Sequence, residues 1–216
     1  MADAERPGAE RWVPKSGGVA ALRAAARDCR GCELWEDATQ VVFSSGSAEA
    51  RLVLVGEQPG DQEDREGEPF IGPAGGVLRD ALAGAGIDLD DVYLTNSVKH
   101  FRHTRAPRGK RRIHEKPNVA QIEACHPWLA AELGSVRPDV IVCLGATAGR
   151  SVLGRPVRIT AERGNVIRGA SGLADAAVLI TTHPSAVLRL RGKPEWGEAF
   201  DGFVADLARA RSLLAG

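Results

Sequence analysis

Apolar positions along this chain change period several times. Val53-Leu54-Val55, Val92-Tyr93-Leu94-Thr95, Val140 to Leu144 and Val178 to Thr181 are short apolar runs that predict four buried strands. Between them the spacing turns helical. Val19 to Arg27, Val77 to Ala85 ahead of Gly86, Cys125 to Leu133 and Phe200 to Leu214 read as helices, with Pro127 expected at the first position of its helix. Strands alternating with helices predict a three-layer α/β/α sandwich with a mostly parallel central sheet. Ligands of such sheets bind beyond the carboxyl ends of the strands. Four segments end there: Gly56-Glu57-Gln58-Pro59-Gly60, Asn96-Ser97, Gly145-Ala146-Thr147 and His183-Pro184-Ser185. Residues 1–17 are expected to form a flexible tail and 18–216 one domain, with no internal repeat.

Composition narrows the class. With 216 residues, 44% hydrophobic and 26% charged, the chain can bury one sizeable core and is ordinary for a soluble protein. No apolar run approaches membrane-spanning length and the first residues are polar, so a cytoplasmic monomer is expected. Net charge is zero, which removes any global basic signature for nucleic acid. The charge is unevenly placed, however. An acidic stretch from Asp61 to Glu66 contrasts with Lys99, Arg102, Arg105, Arg108, Lys110, Arg111, Arg112 and Lys116. Pro107 and Gly109 make that basic stretch read as a loop, either a solvated surface or a holder of phosphates.

All four cysteines fall into one metal-ligand pattern: Cys29 and Cys32 as C-x2-C, then Cys125 and Cys143 far downstream. The missing second tight pair argues against a zinc ribbon. Four thiolates from three separate places suit an iron–sulfur cluster at least as well. Cys143 lies in an apolar strand, so buried free cysteines are the competing reading.

Four other residues have chemistry suited to their positions. Glu57, directly after a strand and fixed by Gln58-Pro59-Gly60, can act as a base or stabilise positive charge. His183 stands in the same relation to the last strand, with Pro184-Ser185 able to open a helix. Asn96 can donate to and accept from a planar base edge. Phe70 is either core or a stacking platform.

Taken in order, Gly56-Glu57-Gln58-Pro59-Gly60, Pro69-Phe70, Thr95 to Lys99, Cys125 with Pro127, the Val140 to Gly145 strand and His183-Pro184-Ser185 resemble the family 4 uracil-DNA glycosylases. The resemblance runs from about Cys29 to Arg191. It implies a 4Fe-4S cluster on Cys29, Cys32, Cys125 and Cys143, and uracil-containing DNA, single- or double-stranded, as partner. It further implies that Phe70 stacks on a flipped uracil and Asn96 reads its polar edge. His183 would stabilise the departing base, with Ser185 beside it, and Glu57 would sit near the sugar.

Two departures are informative. Gln58 stands where that family has a small residue, and an extended loop ends in Lys110-Arg111-Arg112-Ile113-His114. Both resemble the UdgX branch, whose members crosslink to uracil-containing DNA. The resemblance then implies that His114 approaches the anomeric carbon, ending as a covalent adduct, while Lys110, Arg111 and Arg112 hold phosphates. The alternatives are a turnover glycosylase that leaves an abasic site, a non-catalytic nucleic-acid-binding module, and a phosphate-ester hydrolase using Glu57.

Overall fold

The computed structural model describes residues 7–106, 111–170, 172–173 and 176–214. The strands are β1 (Ser44–Ser45), β2 (Leu52–Gly56), β3 (Val92–Asn96), β4 (His103–Arg105), β5 (Arg112–His114), β6 (Val140–Leu144), β7 (Val166–Ile167) and β8 (Ala177–Thr181). The helices are α1 (Gly18–Ala26), α2 (Leu34–Asp37), α3 (Asp61–Glu66), α4 (Pro73–Gly84), α5 (Val119–Val136), α6 (Ala146–Leu153), α7 (Ile159–Glu162), α8 (Pro184–Leu188) and α9 (Trp196–Ser212). No helix among the described residues is long and apolar enough to cross a membrane.

Six strands form one sheet in the order β1-β3-β2-β6-β8-β7. The four central strands run parallel, and the two-residue edges β1 and β7 pair antiparallel. Every residue of the central strands is buried, which explains why they read as continuous apolar runs instead of alternating ones. Their alternate side chains enter two separate cores. Val53, Val55, Ile141 and Cys143 pack with α1, α5 and α6, while Leu52, Leu54, Val142 and Leu144 pack with α4, α8 and α9. This is the expected α/β/α sandwich.

Three local expectations are corrected. Helix α5 begins at Val119, where Asn118 and Gln121 form a reciprocal capping box that satisfies the first N–H groups. Pro127 therefore lies inside the helix and not at its start. The basic stretch is no simple loop, because β4 and β5 pair as an antiparallel hairpin with His103 opposite His114. Finally, the part of the expected tail that is described packs down. Ala9 is buried and its N–H donates to Ala124 O at 2.9 Å, while Gly8 N–H donates to Gly31 O at 3.1 Å. An apolar Ala9 over the cysteine turn gains burial that a free tail would forgo. Residues 1–6 lie outside the described residues.

Candidate active site

The four strand-end segments meet around one cavity of about 570 Å³, lined among others by Glu57, Gln58, Phe70, Asn96, His114, His183 and Ser185. Among the described residues, every non-cysteine candidate except Arg111 and Arg112 is therefore brought together. Thr147, Glu63, Lys116 and Arg189 join them. None of these four had a role assigned from the sequence, although Thr147 stands in a strand-end segment and Glu63 and Lys116 in the charged stretches. Thr147 had a signal, since it follows Gly145 at the opening of a helix.

Glu57 leaves the end of β2 with its backbone held: its carbonyl accepts from Val98 N–H at 3.0 Å. One carboxylate oxygen accepts the Thr147 hydroxyl, and the other lies 3.9 Å from His114 Nε2. One face of this carboxylate is thus fixed while the other looks into the cavity toward the imidazole.

Gln58 is buried and fully engaged. Its Oε1 accepts from Arg102 N–H at 3.0 Å, and its Nε2 donates one hydrogen to Glu115 O at 2.9 Å, with Arg102 O at 3.2 Å sharing that nitrogen's hydrogens. Those main-chain partners settle which end of the amide is nitrogen. The same nitrogen lies 2.9 Å from His114 Nε2. An amide nitrogen only donates, so His114 Nε2 presents its lone pair.

His114 reaches the cavity because residues on a strand alternate faces with period two. Arg112 and His114 share the inner face of β5, against Phe101, with ring–ring and guanidinium–ring centroid distances of 5.9 and 5.3 Å. Ile113, on the other face, is exposed.

The same alternation corrects the role expected of Arg112. Its side chain is only 12% exposed and pairs with Asp61 and, at 2.5 Å, with Asp64, while donating to Thr39 Oγ1 at 3.0 Å. Asp64 is fully buried, and its carboxylate also accepts Thr39 N–H. The acidic stretch forms α3, and two of its carboxylates, Asp61 and Asp64, complement the hairpin. Asp61 is held below the ordinary carboxylate range: burial acts in the opposite sense, and the Arg112 and Arg65 guanidinia outweigh it. Arg111 is exposed, and Lys110 lies outside the described residues.

Phe70 sits in the left-handed region, with φ 58°, a conformation that is uncommon for a bulky residue. Arg79 Nη1 donates to its carbonyl at 2.8 Å. Glycines make room for the arrangement. A Cβ on Gly75 would fall 1.6 Å from Phe70 O, and one on Gly56 would fall 2.3 Å from Asn96 Oδ1 and 2.6 Å from Phe70 Cζ. The ring and the carboxamide close over Gly56, forming one end of the cavity.

His183 caps α8. Its Nδ1 accepts Ser185 N–H at 3.1 Å and lies 2.8 Å from Ser185 Oγ. The ring proton consequently belongs on Nε2. Burial chiefly, then the charges of His114 and Arg189, push its pKa down to about 4. Near neutral pH His183 is an uncharged donor held by its helix cap.

The four cysteines all belong to the hydrophobic cluster on the α1/α5 face, and none is in a disulfide. Cys29 Sγ accepts from Trp128 Nε1–H at 3.2 Å, and Cys125 Sγ accepts from Lys99 N–H at 3.4 Å. Burial, then the neighbouring Cys32, raise the Cys125 thiol to about 12; burial raises Cys143 further. Among the described residues no group of three or more His, Cys, Asp or Glu is arranged to hold a metal ion.

The family model for the uracil DNA glycosylase superfamily matches residues 43–208. A type-4 uracil-DNA glycosylase of Thermotoga maritima is 40% identical over 189 residues, covering 87% of this chain and 90% of that protein. The type-4 enzyme of Archaeoglobus fulgidus is 35% identical over 164 residues, 74% of this chain and 78% of its own length. One from Pyrobaculum aerophilum is 32% identical over 174 residues, 77% and 84% respectively.

Proposed function

The chain belongs to the uracil DNA glycosylase superfamily, and from that membership we propose that it excises uracil from DNA and then bonds to the exposed sugar through His114. The observation that carries the second half is the placement of His114 Nε2. It is 2.9 Å from the Gln58 donor and 3.9 Å from Glu57, in the same cavity as Phe70, Asn96 and His183.

The reaction follows from the charges involved. A uracil within a duplex must leave the stack before its bond to sugar is accessible. Phe70 stacks on the extruded base and the Asn96 carboxamide pairs with its polar edge. When the C1′–N1 bond breaks, its electron pair leaves with uracil. The Nε2–H of neutral His183 stabilises that anion, and the Glu57 carboxylate stabilises the cationic sugar. His114 Nε2 then exchanges its hydrogen bond from Gln58 for a bond to C1′, its lone pair supplying the electrons. The resulting imidazolium sheds its Nδ1 proton to water, which the half-exposed ring can reach. Because the imidazole is already in place, its effective concentration greatly exceeds that of a diffusing nucleophile. A nitrogen–carbon bond of this kind gives the protein one turnover.

Cys29, Cys32, Cys125 and Cys143 are proposed as the ligands of a 4Fe-4S cluster. The chemistry of the donor set supports this, and not its arrangement, which among the described residues forms no metal site: four buried thiols without disulfides, with N–H donors on two of the sulfurs. The cluster would tie the N-terminal segment to α5 and β6. It takes no part in the glycosidic chemistry. Brown protein with about four irons per chain is expected; colourless, active protein with stoichiometric zinc would overturn the assignment.

The functional test uses uracil-containing single-stranded DNA and a denaturing gel. A retained protein–DNA band is the expected result. Alkali-labile DNA without that band would reduce the protein to a turnover glycosylase, and intact DNA would overturn the catalytic reading.

A further inference from the structure

Directly beneath the cavity, the turn after β3 contains a charge that the chemistry above does not use. Lys99 is 1% exposed, and its ammonium pairs with Glu132, which is fully buried in α5. The same ammonium donates to Thr95 Oγ1 at 2.6 Å and to the Asn96 carbonyl at 3.0 Å. The Lys99 N–H donates to Cys125 Sγ at 3.4 Å. Glu132 is saturated from the other side, accepting Tyr93 OH at 2.8 Å and Thr95 Oγ1 at 2.9 Å.

We propose that Lys99 is a positioning residue for base recognition: its ammonium, held by Glu132, fixes the backbone of Asn96 so that the carboxamide meets uracil at one angle. The inference rests on the proposed role of Asn96 and deepens it.

Stability alone is a poor account of this pair. Burying two charges removes their hydration, and apolar residues of similar volume are often neutral or stabilising in such places. What the pair supplies is direction. Asn96 is the last residue of β3, where the ladder gives out and a side chain that reads a base would otherwise swing with its backbone. Neighbouring bonds brace the same turn, since Ser97 N–H donates to Gly56 O at 2.9 Å and Val98 N–H to Glu57 O at 3.0 Å. Lys99 adds a contact to the Asn96 carbonyl itself. A site that hydrogen-bonds its substrate discriminates only if its polar groups are held in place.

The test is a double-mutant cycle in the full-length protein, read by single-turnover release of uracil at saturating protein. Lys99→Met with Glu132→Gln removes both charges together, leaving no buried ion without a partner. This variant is expected to melt cooperatively and to bind uracil-containing DNA within about twofold of the parent, while releasing uracil at least tenfold more slowly. In an Asn96→Ala background the same pair of changes should slow release by less than twofold, because the group it positions is gone. A purely structural role would instead multiply the two losses in full, and that result overturns the proposal, as does release at the parent rate. If the pair melts below assay temperature, Lys99→Arg takes its place. It keeps a charge for Glu132, while its wider planar head loses the fit to Asn96 O and Thr95 Oγ1; the same outcomes decide. A parent protein that releases no uracil, or an Asn96→Ala variant at full rate, sinks the underlying reading of the site and is distinct from either result.

Discussion

The buried carboxamide of Gln58 holds His114: its nitrogen lies 2.9 Å from the ring Nε2, while its other bonds go to the main chain of Arg102 and Glu115. A residue buried under the hairpin thereby sets the orientation of an imidazole that is itself half exposed. Gln58→Ala should leave uracil release within a few fold of the parent and slow adduct formation by about tenfold or more, the scale of a misoriented reacting group. A time course that scores free uracil and crosslinked protein separately checks this. Equal slowing of both would assign Gln58 to base excision.

A side chain at Gly56 would meet both groups proposed to read the base. A methyl group there would fall 2.3 Å from Asn96 Oδ1 and 2.6 Å from the Phe70 ring. Gly56→Ala should lower uracil excision by about a hundredfold, as both recognition groups are displaced together. Excision within threefold of the parent would show that neither group reads the base.

Arg111 and Arg112 are adjacent but should fail differently. Arg112 is enclosed by Asp61 and Asp64, and its loss leaves the buried Asp64 without its cationic partner. Arg112→Ala should destabilise the fold by about 3 kcal/mol, the usual range for breaking a largely buried pair, without altering the salt dependence of DNA binding. Exposed Arg111 should do the reverse. Its neutralisation should reduce the slope of log affinity against log salt by about one, with little change in melting. Melting curves and a salt titration of both variants decide.

His183 sets a pH dependence of stability. Its pKa is pushed down to about 4 in the fold, from about 6.5 in an open chain. The unfolded chain therefore takes up a proton in a window where the folded one does not. The contribution is fully present above pH 6.5 and is lost as pH falls toward 4. His183→Asn can still cap α8 and cannot titrate. The melting temperature of the parent should fall more steeply than that of the variant between these limits; parallel curves would contradict the assignment.

Much of this was legible in the sequence. Val53-Leu54-Val55 and Val140 to Leu144 announced buried parallel strands, and the residues after them located the cavity. The edge strands β1 and β7 were not legible, since two residues carry no period. Pro127 suggested a helix start because a proline lacks the N–H that an interior position uses; the Asn118–Gln121 box upstream determined the true start. The hairpin was missed because Pro107 and Gly109 made the basic stretch read as a loop. Only the fold shows Arg112 turned onto α3, where the acidic stretch waits. Lys99 and Glu132 lie far apart in sequence, and no local pattern marks a pair formed between a turn and a helix.

In the proposed adduct, His114 Nε2 is bonded to the sugar from which uracil has departed. Peptide mapping of the product formed with uracil-containing DNA tests it most directly. The expected result is the sugar mass on His114, no adduct from His114→Ser, and continued uracil release by that variant, because Glu57 and His183 remain. Sugar mass on another residue, or a full-strength adduct from His114→Ser, would contradict it.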